Sequence, residues 1–171
     1  MAELTVSSSQ FLTFSVDEEV LAVDIAHVRE IIQQSSTTVV PLMPAFVRGV
    51  INLRGSVVPV IDLRVRLGRG RTIAGKKTCI VVLNLPTEDS SRADLGILVD
   101  AVSEVIDIQS TQIEPPPEFG TSIAKELLHG IGKVHGRFIS LLAPERALNV
   151  DVLAGLIDGT NEARPVTKES A

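Results

Sequence analysis

The 171-residue sequence predicts a mainly β chain, built as two small barrels of about five short strands each and packed together, with a few short helices. Three observations predict it. Apolar residues recur with period two in short runs broken by Gly, Pro and acidic clusters. One β unit recurs 81 residues later. The composition is rich in Val and Ile but only 3% aromatic, with no Trp or Tyr, as narrow barrel interiors filled by branched aliphatics require.

Element by element, Gln10 to Val16 and Val20 to Val23 read as a hairpin around the turn Asp17-Glu18-Glu19. Asp24 then suits a helix N-cap, and Ile25, Val28 and Ile32 fall on one helical face, which predicts a helix through "DIAHVREII". Pro41 and Pro44 punctuate the chain ahead of two strands flanking Arg54-Gly55. A helical fragment, Asp62 to Leu67, and a glycine-rich basic loop, Gly68 to Lys77, follow. Strands resume at Thr78 to Leu85 and Asp94 to Val99, and again as a hairpin at Gly130 to Val134 and Phe138 to Leu142. Pro144 suits the first position of a helix, and a last helix is predicted over Val152 to Ile157. Residues 1–9 and 159–171 read as flexible tails around a domain spanning 10–150, with the boundary between barrels near 68–78 and the C-terminal helix crossing back.

The repeat is visible in single residues. Gly49 and Gly55 recur as Gly130 and Gly136, Val57 as Phe138, Ile61 as Leu142, and Arg54 as His135, all at the same offset. Burying the two β units against each other gives a core that neither could make alone.

Composition also bounds function. The net charge of −5 and the scarcity of aromatics supply neither a basic field nor stacking platforms for nucleic acid. The single cysteine, Cys79, lies in an apolar run and reads as a small hydrophobe. The N-terminus lacks an export signal, and no apolar segment approaches the roughly 20 residues of a bilayer span, so a cytoplasmic protein is expected.

No motif assembles an active site. Gly70 to Lys77 approximates the phosphate-binding pattern, but Lys77 stands where a magnesium-binding hydroxyl is needed, and the sequence beyond it is strand-like. His27, His129 and His135 are scattered without ligand-spaced partners, so neither metal nor cofactor is expected. Asp62 and Asp100 each end a strand and read as caps. The remaining anomaly is Arg54, at the centre of "GVINLRGSVVPVIDL". An unpaired buried guanidinium costs several kcal/mol, so Arg54 is expected to emerge at a hairpin tip over an apolar surface and pair with an acidic partner.

The stretch "PAFVRGVINLRGSVVPVIDLR", Pro44 to Arg64, resembles the signature of the CheW family of bacterial chemotaxis adaptors. The likeness continues in "FLTFSVDEEVLAVDIAHVREI" from Phe11, "CIVVLNL" from Cys79, "GILVDAVSEVIDI" from Gly96 and "QIEPPPEF" from Gln112. The resemblance implies two five-stranded SH3-like barrels around a shared hydrophobic core. It also implies a non-enzymatic coupler between the cytoplasmic tip of transmembrane chemoreceptors and the regulatory domain of a CheA-type histidine kinase. Such a protein would be recruited to receptor clusters at the inner face of the membrane, without inserting, and would be monomeric when free. By the same resemblance, receptor contacts fall on Val28, Glu30, Ile31, Arg54, Gly55, Val99 and Ala101, and kinase contacts on Glu114 and Phe119. Glu114 stands where some members carry a basic residue. A related adaptor of pilus motility or another chemosensory pathway is the alternative reading.

Overall fold

The computed structural model describes residues 8–33, 37–39, 43–87, 91–116 and 125–148, in which the alternating segments form eleven strands in two sheets. In spatial order the five-stranded sheet is β3 (Val28–Gln33), β6 (Cys79–Pro86), β7 (Arg92–Val99), β5 (Ser56–Asp62) and β4 (Val47–Leu53). The six-stranded sheet is β8 (Ala101–Gln109), β1 (Ser8–Val16), β2 (Glu19–Asp24), β11 (Arg137–Leu142), β10 (Leu128–Val134) and β9 (Ile113–Glu114). Neighbours pair antiparallel except β5 with β7 and β11 with β2.

Each sheet rolls around its own small core. Ile32 of β3 and Ile51 of β4, from opposite edges of the five-stranded sheet, pack in one cluster with Val58, Val60, Ile80, Val82 and Leu98. In the other sheet Ile108 of edge strand β8 packs with Val134, Ile139 and Leu141, and a Cβ at Gly132 of β10 would lie 3.3 Å from Ile108 Cδ1. The largest cluster lies between the sheets and draws on both, including Phe14, Leu21, Ile61, Leu83, Ile97 and Leu142. Strand β6 shows why its sequence is an unbroken apolar run. Ile80 and Val82 face its own barrel while Val81, Leu83 and Leu85 face the shared core, so both faces are dry. The predicted architecture of two small barrels sharing a core is the observed one.

The repeat reaches hydrogen-bonding detail. The β4–β5 pairs Val47–Ile61, Gly49–Val60 and Leu53–Ser56 recur 81 residues later as Leu128–Leu142, Gly130–Leu141 and Val134–Arg137, with the bulge in the same place. The Asp62 N–H donates to Phe46 O at 2.7 Å, and the Ala143 N–H donates to Leu127 O at 2.8 Å. Both turns are two-residue turns with positive φ throughout, 53° and 87° at Arg54-Gly55, 51° and 76° at His135-Gly136, the geometry whose twist suits a hairpin. Short helices α1 (Leu63–Arg66) and α2 (Pro144–Ala147) follow the two hairpins, with Asp62 capping the first through the Arg64 N–H and Pro144 in the first turn of the second.

Several expectations are corrected. The helix predicted from Ile25 is a single 3-10 turn, Ile25–His27, capped by Asp24, after which Val28 begins β3. The spacing of Ile25, Val28 and Ile32 imitates a helix. Antiparallel pairing with β6 overrides it, and exposure along β3 alternates. The loop at 68–78 does not separate the barrels, because β5 before it and β6 after it share one sheet. The chain changes sheet after Asp24 and again at Asp100. Strand β1 begins at Ser8, inside the segment expected to be a tail. Strand β8 was not anticipated as a strand of this length. The helix predicted at Val152 to Ile157 and the C-terminal tail lie outside the described residues.

Candidate functional site

The β4–β5 turn is a built feature. Asn52 Oδ1 accepts the Gly55 N–H at 3.0 Å, stabilising a turn in which Arg54 itself holds a left-handed φ of 53°. No atom lies within 4 Å of a Cβ placed on Gly55, so glycine is needed there for its φ of 87° and not for space. Asn52, the first residue of the Asn52-Leu53-Arg54-Gly55 motif, thus fastens the turn from which Arg54 projects.

From this turn Arg54 Nη1 donates to Glu30 Oε1 at 2.5 Å. The acidic partner expected for Arg54 is therefore supplied by the chain itself. Arg54 remains 68% exposed at its side chain and Glu30 23%, so the guanidinium lies over the barrel rim, open to solvent. Ile31 follows Glu30 in β3 with its side chain on the opposite face, since it pairs with Val81 where Glu30 pairs with Val82, and it is 43% exposed, as is Val57 two residues beyond Gly55. The pair offers an arginine anchor held by a carboxylate, with exposed Ile31 and Val57 near it in sequence. It holds no nucleophile and no general base aligned with one.

The remaining expected contact residues fall in different settings. Val28 is half-buried at the start of β3 and packs against the shared core. Ala101 is half-buried at the start of β8, opposite Ser15. Val99 is 0% exposed within the core between the sheets. A side chain with no surface makes no contact with a partner, so the expectation for Val99 is overturned. Glu114 is exposed on the two-residue strand β9, at the edge of the six-stranded sheet, where it pairs with Ile131. Phe119 lies outside the described residues.

The repeat places an equivalent surface on the second barrel. His135 and Phe138 take the places of Arg54 and Val57, Phe138 being 65% exposed with Lys133 Nζ 5.8 Å from its ring centroid. Ile31 pairs with Val81 of β6 as Val105 pairs with Leu12 of β1, and Val105 is 46% exposed.

Among the described residues there is no group of three or more His, Cys, Asp and Glu side chains suited to a metal, and no helix long and apolar enough to cross a membrane. Lys77 is followed by strand β6, as expected, whereas phosphate binding by this pattern needs a helix.

Comparison with known proteins converges on one family. Residues 10–152 match the CheW-like domain. The chemotaxis protein CheW of Klebsiella aerogenes is 36% identical over 149 residues, covering 87% of this chain and 86% of that protein. The chemotaxis protein CheW of Rhizobium meliloti is 34% identical over 139 residues, covering 81% and 86%. The crystal structure of the scaffolding protein TtCheW from Thermoanaerobacter tengcongensis aligns with a TM-score of 0.70 at 36% identity, over 80% of this chain and 84% of that one. The barrel pair, the Asn52-Leu53-Arg54-Gly55 turn and these likenesses agree, and the chain belongs to the CheW-like domain family.

Proposed function

We propose that this protein is a non-enzymatic adaptor of bacterial chemotaxis that couples the cytoplasmic tip of chemoreceptors to a CheA-type histidine kinase. The observation that carries the reading is the Arg54–Glu30 pair on the rim of the first barrel. An exposed arginine restrained by a carboxylate at a barrel rim is the kind of anchor that dominates modest protein interfaces. Relatives 34–36% identical over most of the chain are chemotaxis proteins CheW, which favours this reading over an adaptor of another chemosensory pathway.

In this proposal the receptor hairpin meets Glu30, Ile31, Arg54 and Gly55, with Ala101 at the margin and Val28 supporting β3 from beneath. The kinase regulatory domain meets the second barrel near Glu114 and Phe119. With Glu114 acidic, a kinase surface that is itself acidic there would be repelled, so a basic partner surface is expected. The adaptor works in the cytoplasm, monomeric when free, joining receptor clusters through protein contacts. Coupling follows because two sites on one rigid double barrel bias each other's partners by a free energy of about 1–3 kcal/mol.

The test is reconstitution with receptor-bearing membranes and the kinase of the same cell. Adding this protein is expected to bring the kinase down with the membranes and to make autophosphorylation respond to attractant. Absence of both kinase recruitment and receptor recruitment would refute the proposal.

A further inference from the structure

Several described arginines pair with carboxylates: Arg29 with Asp94, Arg48 with Asp62, Arg54 with Glu30, Arg64 with Asp17, and Arg69 with both Asp17 and Glu19, while Arg66, Arg92 and Arg146 donate to carbonyl or amide oxygens. Beyond Arg69, the loop joining α1 to β6 carries three further cations. Arg71, Lys76 and Lys77 are exposed there, and among the described residues none has a carboxylate partner. Between them stands Ile73, at 84% the most exposed large apolar side chain of the described residues.

This loop is held, not loose. Thr72 is 3% exposed; its N–H and its hydroxyl donate to the buried carboxylate of Asp62 at 2.9 and 2.7 Å, and its carbonyl accepts from Arg48 Nη1 at 3.1 Å. At the other end the hydroxyl of buried Thr78 accepts the Gly75 N–H at 2.7 Å, and the Thr78 N–H donates back to Gly75 O at 3.3 Å. Two anchors thus force the intervening residues outward. An apolar side chain fixed in water between three unpaired cations has no folding purpose that the structure supplies.

We propose that this loop is a docking site for an acidic protein segment bearing an apolar side chain, separate from the Arg54 rim. Charge complementarity selects the occupant. The whole chain carries −5, so an extended anionic plane such as a lipid bilayer would attract the loop and repel the rest of the molecule. A short acidic segment lies within a Debye length of about 8 Å of the loop cations and senses little else. Ile73 then buries against the apolar residue of that segment, and the cations meet its carboxylates.

The probe is a fluorescent peptide of glutamates with one central leucine, titrated by anisotropy into the full chain at low and physiological salt. Saturable binding that weakens with salt is expected. Affinity should fall about ten-fold in Arg71→Glu/Lys76→Glu/Lys77→Glu, and about three-fold in Ile73→Ser or when serine replaces the peptide leucine. Arg54→Glu should leave it unchanged, which separates failure here from failure of the receptor proposal. All substituted side chains are exposed, and circular dichroism verifies folding; Ile73→Ser decides the matter should the triple variant misfold. Equal peptide affinity for wild type and Ile73→Ser overturns the proposal. So does tighter binding to phosphatidylglycerol vesicles than to the peptide with the same residue dependence, or sedimentation showing that the loop residues instead drive self-association.

Discussion

Arg54 Nη1 lies 2.5 Å from Glu30 Oε1, and the pair joins the two edge strands of the five-stranded sheet, bridging from the tip of β4–β5 to β3. An ion pair this exposed contributes only about 0–1 kcal/mol to folding. Its position is therefore the informative property. It restrains an exposed guanidinium at the rim of the barrel, so a partner meets an anchor whose rotamer is largely preset.

Arg54→Glu is expected to weaken binding of a receptor-tip fragment by about 1–3 kcal/mol, because it removes the anchor and sets a second carboxylate against Glu30. Folding stability should move by no more than about 1 kcal/mol. Calorimetric titration alongside urea unfolding separates the two. The exchanged variant Glu30→Arg/Arg54→Glu should regain stability without regaining affinity; an unaltered affinity in Arg54→Glu would remove the rim from the receptor site.

Two glycines are irreplaceable for a reason the repeat makes plain. At Gly49, φ is 153° and a Cβ would stand 2.4 Å from Thr38 O; at Gly130, 81 residues later, a Cβ would stand 2.7 Å from Glu114 O. The isolated bridge of Thr38 to Val50 has its counterpart in the pairing of Glu114 with Ile131, so in both barrels a passing segment crosses the bulge at contact distance. Gly130→Ala should therefore displace β9 and cost about 2–3 kcal/mol. Amide exchange at Ile131 and Gly132 would accelerate before global unfolding, and kinase binding through Glu114 would weaken with it. Wild-type exchange rates at those amides would contradict this account.

Much of this was legible in the sequence because it is local. The hairpins announce themselves by alternation around turns, the caps at Asp24 and Asp62 by a carboxylate at a strand end, and the repeat by glycines at one offset. What was not legible is non-local. Ala101–Gln109 mixes Ser, Glu and Asp into its apolar pattern because β8 is an edge strand with one wet face, and so it lacks a strong period. The membership of each sheet depends on crossings at Asp24 and Asp100 that no local signal marks. Arg54 could be expected to need an acid, but Glu30 lies 24 residues away and only closure of the barrel brings it near.

Asp62 illustrates a residue whose local reading was right and incomplete. It caps α1, yet at 1% exposure it also gathers Arg48, the Thr72 amide and the Thr72 hydroxyl. Asp62→Ala leaves Arg48, itself largely buried, without its countercharge and should destabilise the fold by about 3–5 kcal/mol. Thr72→Val, which loses one hydroxyl donor to a charged acceptor, should cost about 1.5–3 kcal/mol and loosen the basic loop. Proteolysis would report this as faster cleavage after Arg71, Lys76 or Lys77 in Thr72→Val than in the wild type. Equal cleavage would mean that Thr72 does not anchor the loop.

Val99 provides the converse case, a residue expected at a partner surface and found in the core. It ends β7 opposite Cys79, and its side chain packs in the cluster between the sheets just before the chain crosses at Asp100. Removing two methyl groups there should cost about 1–3 kcal/mol through lost burial and an incompletely filled cavity. Val99→Ala is therefore expected to lower the urea midpoint while the folded fraction binds a receptor-tip fragment as tightly as the wild type. Ile31→Ala should do the opposite, losing affinity with little change in the midpoint. A loss of affinity in Val99→Ala at full folding would mean that the shared core, and not the Arg54 rim alone, transmits receptor binding across the two barrels.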